Sequence, residues 1–293
     1  MFLQQIANAL ALSAVYSLFA IGFTLIFGVL EVITLAHGAV FMMGAFAGLI
    51  AATKFNAGLA VTLLASMIVS GLAGYLIDLI AIGPLRKRKF HHLAPMIATI
   101  GCATIITSTY QGIFGAEAYR FPFDFVPSTS YDIGGIQLTL LQLIIIGISL
   151  FLMVVLIFFL KKTRWGKAVR AVAENPKTAA LLGIPVEQVF RLTMSISSAF
   201  GGAAGVLTGL NFNTIHTFMG GPILHRGIAV IILGGMGDIR GAMAGGLILG
   251  FSEILSVAYI SSDFRDAISF GLLFLILLVR PSGIFGKVIE RKG

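Results

Sequence analysis

Apolar residues along this chain come in long, nearly unbroken runs, and about 20 of them suffice to carry a helix across a bilayer. Such runs predict helices near residues 6–30, 35–53, 59–82, 93–114, 138–160, 192–210, 241–258 and 267–279. A shorter run, 227–237, reads as a tilted or a broken span, so the expectation is an all-α polytopic membrane protein with 8–9 transmembrane helices. The 293 residues then form a single transmembrane domain, 1–293.

Two polar stretches interrupt the pattern. The first, GAEAYRFPFDFVPSTSYDIGGIQ at 115–137, reads as a structured, slightly acidic loop or as a docking surface for a partner, because Arg120 is outnumbered by Glu117, Asp124 and Asp132. The second, about 161–190, is the sequence KKTRWGKAVRAVAENPKTAALLGIPVEQVFR through Arg191. Trp165, Ala168, Val169 and Val172 recur there at helical spacing opposite Lys167 and Arg170, which predicts an amphipathic helix. Asn175 then caps a very short helix beginning at Pro176, Gly183 ends it, and Pro185 with Glu187 starts the helix feeding the next span. So many caps predict a built element rather than a tether. It reads either as a helix in the lipid headgroup layer or as a rigid surface that transmits a partner's movement to the spans on either side.

Composition supports the membrane assignment and adds detail. The chain is 58% hydrophobic and 11% charged, where a soluble domain carries about 25% charged residues. Thirty-five glycines include the four-residue spacings Gly44/Gly48, Gly201/Gly205, Gly205/Gly209, Gly241/Gly245 and Gly246/Gly250, which allow close helix crossings. Asp238 and Arg240 interrupt the glycines of 234–241, which predicts a turn or an unwound segment at a membrane face. The N-terminal sequence lacks a positive region before its apolar run, so the expectation is a retained first span.

The net charge of +8 describes orientation rather than nucleic-acid binding. Arg86, Lys87, Arg88 and Lys89, the seven basic residues of 161–191, Arg240, and Arg280, Lys287, Arg291 and Lys292 make 16 of the 20 Lys and Arg, all on one consistent side. The positive-inside tendency makes that side cytoplasmic, with the N-terminus outside, the C-terminus inside and an odd number of crossings.

Chemistry is sparse. No G-x-x-x-x-G-K-[ST] run is present, so the chain is expected to rely on a partner for nucleotide hydrolysis. No H-x-x-x-H, paired carboxylate or Ser/His/Asp ordering suggests a metal or hydrolytic site, and the single Cys102 forms no intramolecular disulfide. Glu31, Thr34 and His37 bring polar groups to the junction of the first two spans, where a plain hairpin needs none. Glu253 is the only carboxylate well inside a long run, with either a proton or substrate role or a buried structural one. His37 is open to the same pair of readings. An ion-coupled transporter using Glu253 and Asp78 stays open at this point, as does an anchoring subunit that moves nothing.

Four segments carry a family resemblance: ITLAHGAVFMMGAF, TRWGKAVRAVAENPKTAALLGI, GGMGDIRGAMAGGLILG and the ending RPSGIFG. In order, spacing and span pattern they closely resemble the inner-membrane permease of bacterial high-affinity branched-chain amino-acid import, the LivH/LivM family of ABC importers. Thr34 and Leu35 stand where the family often has Asn and Phe before Ala-His-Gly. The resemblance implies an ABC permease in the bacterial inner membrane, paired with a second similar permease subunit. It implies two cytoplasmic ATPase subunits that bind ATP and Mg, a periplasmic substrate-binding protein, and no cofactor in this chain itself. It assigns Arg170, Ala173, Glu174, Asn175 and Leu182 to the ATPase interface. Leucine, isoleucine and valine are the implied cargo, with other neutral amino acids or urea and short amides as the alternative.

Overall fold

The computed structural model describes residues 2–88, 93–127, 129–133 and 136–286. Helices α1 (Phe2–Leu30), α2 (Ala36–Lys54) and α3 (Leu59–Ile77) come first, and a π-helical turn (Asp78–Ile82) links α3 to the short α4 (Gly83–Lys87). Then follow α5 (Leu93–Phe114), an antiparallel hairpin of β1 (Ser130–Ile133) and β2 (Ile136–Thr139), and α6 (Leu140–Lys162). Two short helices, α7 (Arg164–Glu174) and α8 (Pro176–Leu181), precede α9 (Val186–Phe212), α10 (Gly220–Gly234), α11 (Ile239–Tyr259) and α12 (Arg265–Val279). Lys89, Lys287, Arg291 and Lys292, counted above on the basic side, lie outside the described residues.

Among the described residues, six helical stretches are long and apolar enough to cross a membrane: Phe2–Leu30, Ala36–Lys54, Leu59–Lys87, Leu93–Phe114, Leu140–Lys162 and Ile239–Tyr259. Six of the 8–9 expected spans therefore meet the requirement of length and composition. Helices α10 and α12 have 15 residues each, and α9 opens on Glu187, Gln188 and Arg191. The 115–137 stretch also departs from an all-helical chain, since it holds the hairpin.

Small residues set the packing. In lipid no hydrophobic force separates a helix from its solvent, so association depends on how closely backbones approach. A Cβ on Gly44 would lie 2.3 Å from the Gly202 Cα, and one on Gly48 would lie 2.4 Å from Val206, so α2 and α9 run parallel in direct backbone contact. Gly246 fits against Ser17 and Gly250 against Ser13, so α1 and α11 run antiparallel. The Ser13 and Ser17 hydroxyls donate to the carbonyls of Leu247 and Met243 at 3.2 and 3.1 Å.

These directions give the bundle two ends. At one, Gly28 near the close of α1 meets Gly237 in the turn before α11. At the other, the hairpin is fastened to the start of α1, because Gln4 exchanges two hydrogen bonds with the Gln137 backbone and Gln142 donates to Asn8 at 2.8 Å. A backbone bridge between Tyr119 and Ile215 joins the 115–137 segment to the loop after α9. Phe123 is 93% exposed and Tyr131 50% exposed at this end.

Candidate functional site

The elbow, residues 161–191 at one end of the bundle, is built by two side-chain caps, at Thr163 and Asn175. Thr139 and Gln142 form a reciprocal capping box at the start of α6, and at its far end Thr163 accepts from the Gly166 N–H at 2.9 Å to start α7. Asn175 accepts from the N–H groups of Lys177 and Thr178, each at 3.0 Å, and starts α8 with Pro176 in its first turn. Gly183 at φ +80° ends that helix in the left-handed region that favours glycine. The short helix predicted between Asn175 and Gly183 is therefore present.

The buried face of α7 differs from the expected one. Gly166, Val169 and Val172 are buried, whereas Trp165 is 44% exposed. The reason is close approach: a Cβ on Gly166 would lie 2.1 Å from the Phe159 carbonyl oxygen, so the glycine must face α6 and the indole turns out.

Of the interface residues implied by the resemblance, Arg170, Glu174, Asn175 and Leu182 are exposed, while Ala173 is half-buried against the core. Leu181 and Leu182 are 88% and 76% exposed, an apolar pair at the tip of a rigid, capped turn. Arg170 and Ala173 also line a cavity of about 370 Å³ between the elbow, the end of α1 and the start of α11, together with Lys161, Asp238 and Arg240. Asp238 caps α11, accepting from the N–H groups of Arg240 and Gly241 at 2.7 and 3.0 Å.

A second anchor lies beside the elbow. Arg86 of α4 pairs with buried Asp78 at 3.1 Å and with Glu187 in the first turn of α9 at 2.7 Å, and its guanidinium stands 4.1 Å over the Phe190 ring. Burial raises the Glu187 carboxyl, but the Arg86 hydrogen bond and charge outweigh it, with help from Lys87 and Arg191, and hold it below the ordinary value of 4.5.

The residues singled out at the first junction do not form one site. Glu31 is exposed and adopts φ +54°, ending α1 in the left-handed region. Thr34 is buried, and among the described residues none bonds its hydroxyl. His37 is buried, stacked on Phe23 at 5.4 Å and tilted against Phe19 at 4.7 Å.

Glu253 has the most developed surroundings. Fully buried, it accepts from Tyr16 Oη at 2.5 Å, Arg226 Nε at 2.7 Å, and Arg265 Nε and Nη2 at 2.8 and 3.2 Å. Arg226 Nη2 also donates to Asp266 at 3.0 Å. A buried carboxylate is tolerated only when paired and hydrogen-bonded, and α1, α10, α11 and α12 each supply part of that environment. Tyr16, Arg226, Arg265 and Asp266 went unnoticed in the sequence. The available signal was Arg226, a cation inside the apolar run of 220–234 with no nearby acid.

Comparison with known proteins adds an independent finding. The family model described as "Branched-chain amino acid transport system / permease component" matches residues 5–277. Over 298 aligned residues the chain is 35% identical to the "High-affinity branched-chain amino acid transport system permease protein LivH" of Escherichia coli (strain K12), covering 98% of this chain and 96% of the relative. The protein of the same description from Salmonella typhimurium gives the same figures. The "High-affinity branched-chain amino acid transport system permease protein BraD" of Pseudomonas aeruginosa is 34% identical at the same coverage.

Proposed function

This chain belongs to the family of branched-chain amino-acid transport permease components, and on that premise we propose that it is one permease half of an ATP-driven importer of leucine, isoleucine and valine. The family is one of transport components, and the chemistry belongs to its partners: two cytoplasmic ATPase subunits, a second permease and an external substrate-binding protein. The observation that carries this reading is the elbow. It is a capped, rigid turn with Leu181 and Leu182 turned outward and Gly166 pressed against α6, so a load on its tip passes directly into the spans on either side.

Nine crossings of the bacterial inner membrane fit the chain path, with α9, α10 and α12 crossing beside the six stretches named above. Helix α9 has 27 residues, about 40 Å of helix at 1.5 Å per residue, enough to cross even though its first turn is polar. The shorter α10 crosses where its neighbours cover both ends, at Gly220 and Gly234, and α12 crosses between Arg265 and Arg280. This count puts the elbow in the cytoplasm and the N-terminus and hairpin outside. Phe123 and Tyr131 are then available to the binding protein.

ion coupling finds little support in the arrangement of carboxylates. Glu253 is held by two guanidiniums and Asp78 by Arg86, which leaves neither free to exchange a cation through the cycle.

The test is reconstitution of the chain with its permease partner, ATPases and binding protein in proteoliposomes. Labelled leucine uptake should depend on ATP. Glu174→Lys should keep the protein in the membrane but uncouple ATP hydrolysis from uptake, and normal uptake by that variant would count against the elbow assignment.

A further inference from the structure

Beside the Glu253 cluster, at the end of the bundle away from the elbow, lies a cavity of about 270 Å³. Helix α9 begins at the elbow and ends at Phe212, which lines this cavity, so about 40 Å of helix separates the two sites. Arg226 and Arg265 form its charged wall, and Phe41, Met219 and Ile223 form an apolar one. We propose that this cavity is a transit subsite for the amino-acid cargo, in which the two guanidiniums take the carboxylate and the apolar wall takes the branched side chain. The proposal rests on the permease reading above and adds the residues that meet the substrate.

The arginines are fixed in place. Each gives its Nε to Glu253, which is 0% exposed, so the carboxylate acts as a positioning residue that orients both planar groups. Arg226 spends Nη2 on Asp266, and Arg265 spends Nη2 on Glu253 and on Tyr16 Oη. Among the described residues, no protein group accepts from Nη1 of either arginine. Two spare, charge-assisted donors on rigidly held guanidiniums are what recognition of a carboxylate requires.

Charge balance sets the strength of binding. Arg226 and Arg265 are matched by Glu253 and Asp266, so the cavity offers oriented donors without a net positive field. An anion therefore binds weakly there. A transit site must release what it takes, and differential rather than tight binding is what moves cargo. The volume falls just below the roughly 300 Å³ at which drug-sized ligand pockets begin, which suits a single amino acid.

A labelling experiment tests this without relying on a variant's ability to pack a larger core. Thr214 lines the cavity and is half-buried, and Cys102 is the only cysteine of the chain. In the assembled complex, Thr214→Cys in a Cys102→Ser background is treated with N-ethylmaleimide, and modification at position 214 is followed by mass spectrometry. At about 10 mM, ten times a millimolar Kd, leucine and 4-methylpentanoate should each slow labelling at least about threefold. The amine 3-methylbutan-1-amine, which lacks the carboxylate, should leave the rate unchanged. Complete labelling should lower leucine uptake at least about tenfold, as expected if the cargo passes this point. Equal labelling rates with all three compounds, or protection by the amine alone, overturns the subsite. Wild-type uptake is measured in parallel: a complex that hydrolyses ATP but moves no leucine overturns the permease reading, whereas leucine uptake with an unprotected position 214 overturns only the subsite.

Discussion

Arg86 Nη2 donates to Glu187 Oε2 at 2.7 Å and so ties the short helix after the third span to the first turn leaving the elbow. The same guanidinium holds the buried Asp78 carboxylate at 3.1 Å. One side chain thus fastens two helices at the point where the proposed load enters the bundle.

The pH dependence of that contact has a definite sign. Because the folded Glu187 carboxyl is held below 4.5, the pair stabilises the fold above that value, and the contribution disappears as pH falls through the lowered folded value. Thermal denaturation in detergent, followed downward through the carboxylate range, should show this loss in the wild type. Glu187→Gln should remove that component, and a variant with the full wild-type pH response would contradict it.

Arg86→Gln should be more damaging than Glu187→Gln. It leaves Asp78 charged, buried and unpaired, at a cost of about 3–5 kcal/mol, whereas the part-exposed Glu187 contact is worth about 1 kcal/mol or less. Comparing the melting temperatures of the two variants decides the order.

Gly202→Ala should prevent proper assembly of α2, α3 and α9. The new Cβ would stand 2.2 Å from Ser70 Oγ and 2.9 Å from the Ser66 carbonyl oxygen, and the backbone oxygen has nowhere to go. A cost above about 3 kcal/mol is expected, the upper range for overpacking. Gly101→Ala is the control, because nothing lies within 4 Å of its would-be Cβ. Size-exclusion profiles of the two variants should differ sharply.

Tyr16→Phe removes one O–H donor from Glu253 but leaves both arginines in place, so it should cost about 1.5–3 kcal/mol. Glu253→Gln should cost about 3–5 kcal/mol because two cations lose their counter-charge. Thermal stability in detergent measures both.

Leu181→Ser with Leu182→Ser should leave the stability of the chain within about 0.5 kcal/mol, since both side chains are exposed. The same double variant should lose the ATPase subunits during purification in mild detergent. Retention of the ATPases at wild-type stoichiometry would argue that they grip the elbow elsewhere.

The sequence pattern revealed the helices where one local rule decided them. Helix α5 occupies Leu93–Phe114 as its apolar run predicts, and the caps at Asn175 and Gly183 fall where their residue types require. Helix α10 begins at Gly220, well before the predicted run at 227, because His225 and Arg226 interrupt the apolar pattern while Pro222 is tolerated in a first turn. The turn at 235–238 was legible from its glycines, and Gly235 and Gly237 do take φ of +105° and +88°. What pattern reading missed was long-range. Glu253 stands 237 residues from Tyr16 and 27 from Arg226, and no periodicity connects groups that meet only after the bundle forms. Trp165 was misread because its neighbour Gly166 makes the closer contact, which binary hydrophobicity does not register.

The contact between α10 and α11 leaves no room for sliding. A Cβ on Gly234 would lie 2.1 Å from the Gly241 carbonyl oxygen, and one on Gly245 would lie 2.5 Å from that of Val230. The two helices therefore keep one register on either side of the turn at 235–238. Arg226 stands on one of them and Glu253 on the other, so their 2.7 Å bond joins two elements already locked together. Because Glu253 also accepts from Tyr16 on α1 and Arg265 on α12, displacing that pair alone would break bonds at the far end, so the cluster pins four helices to one another.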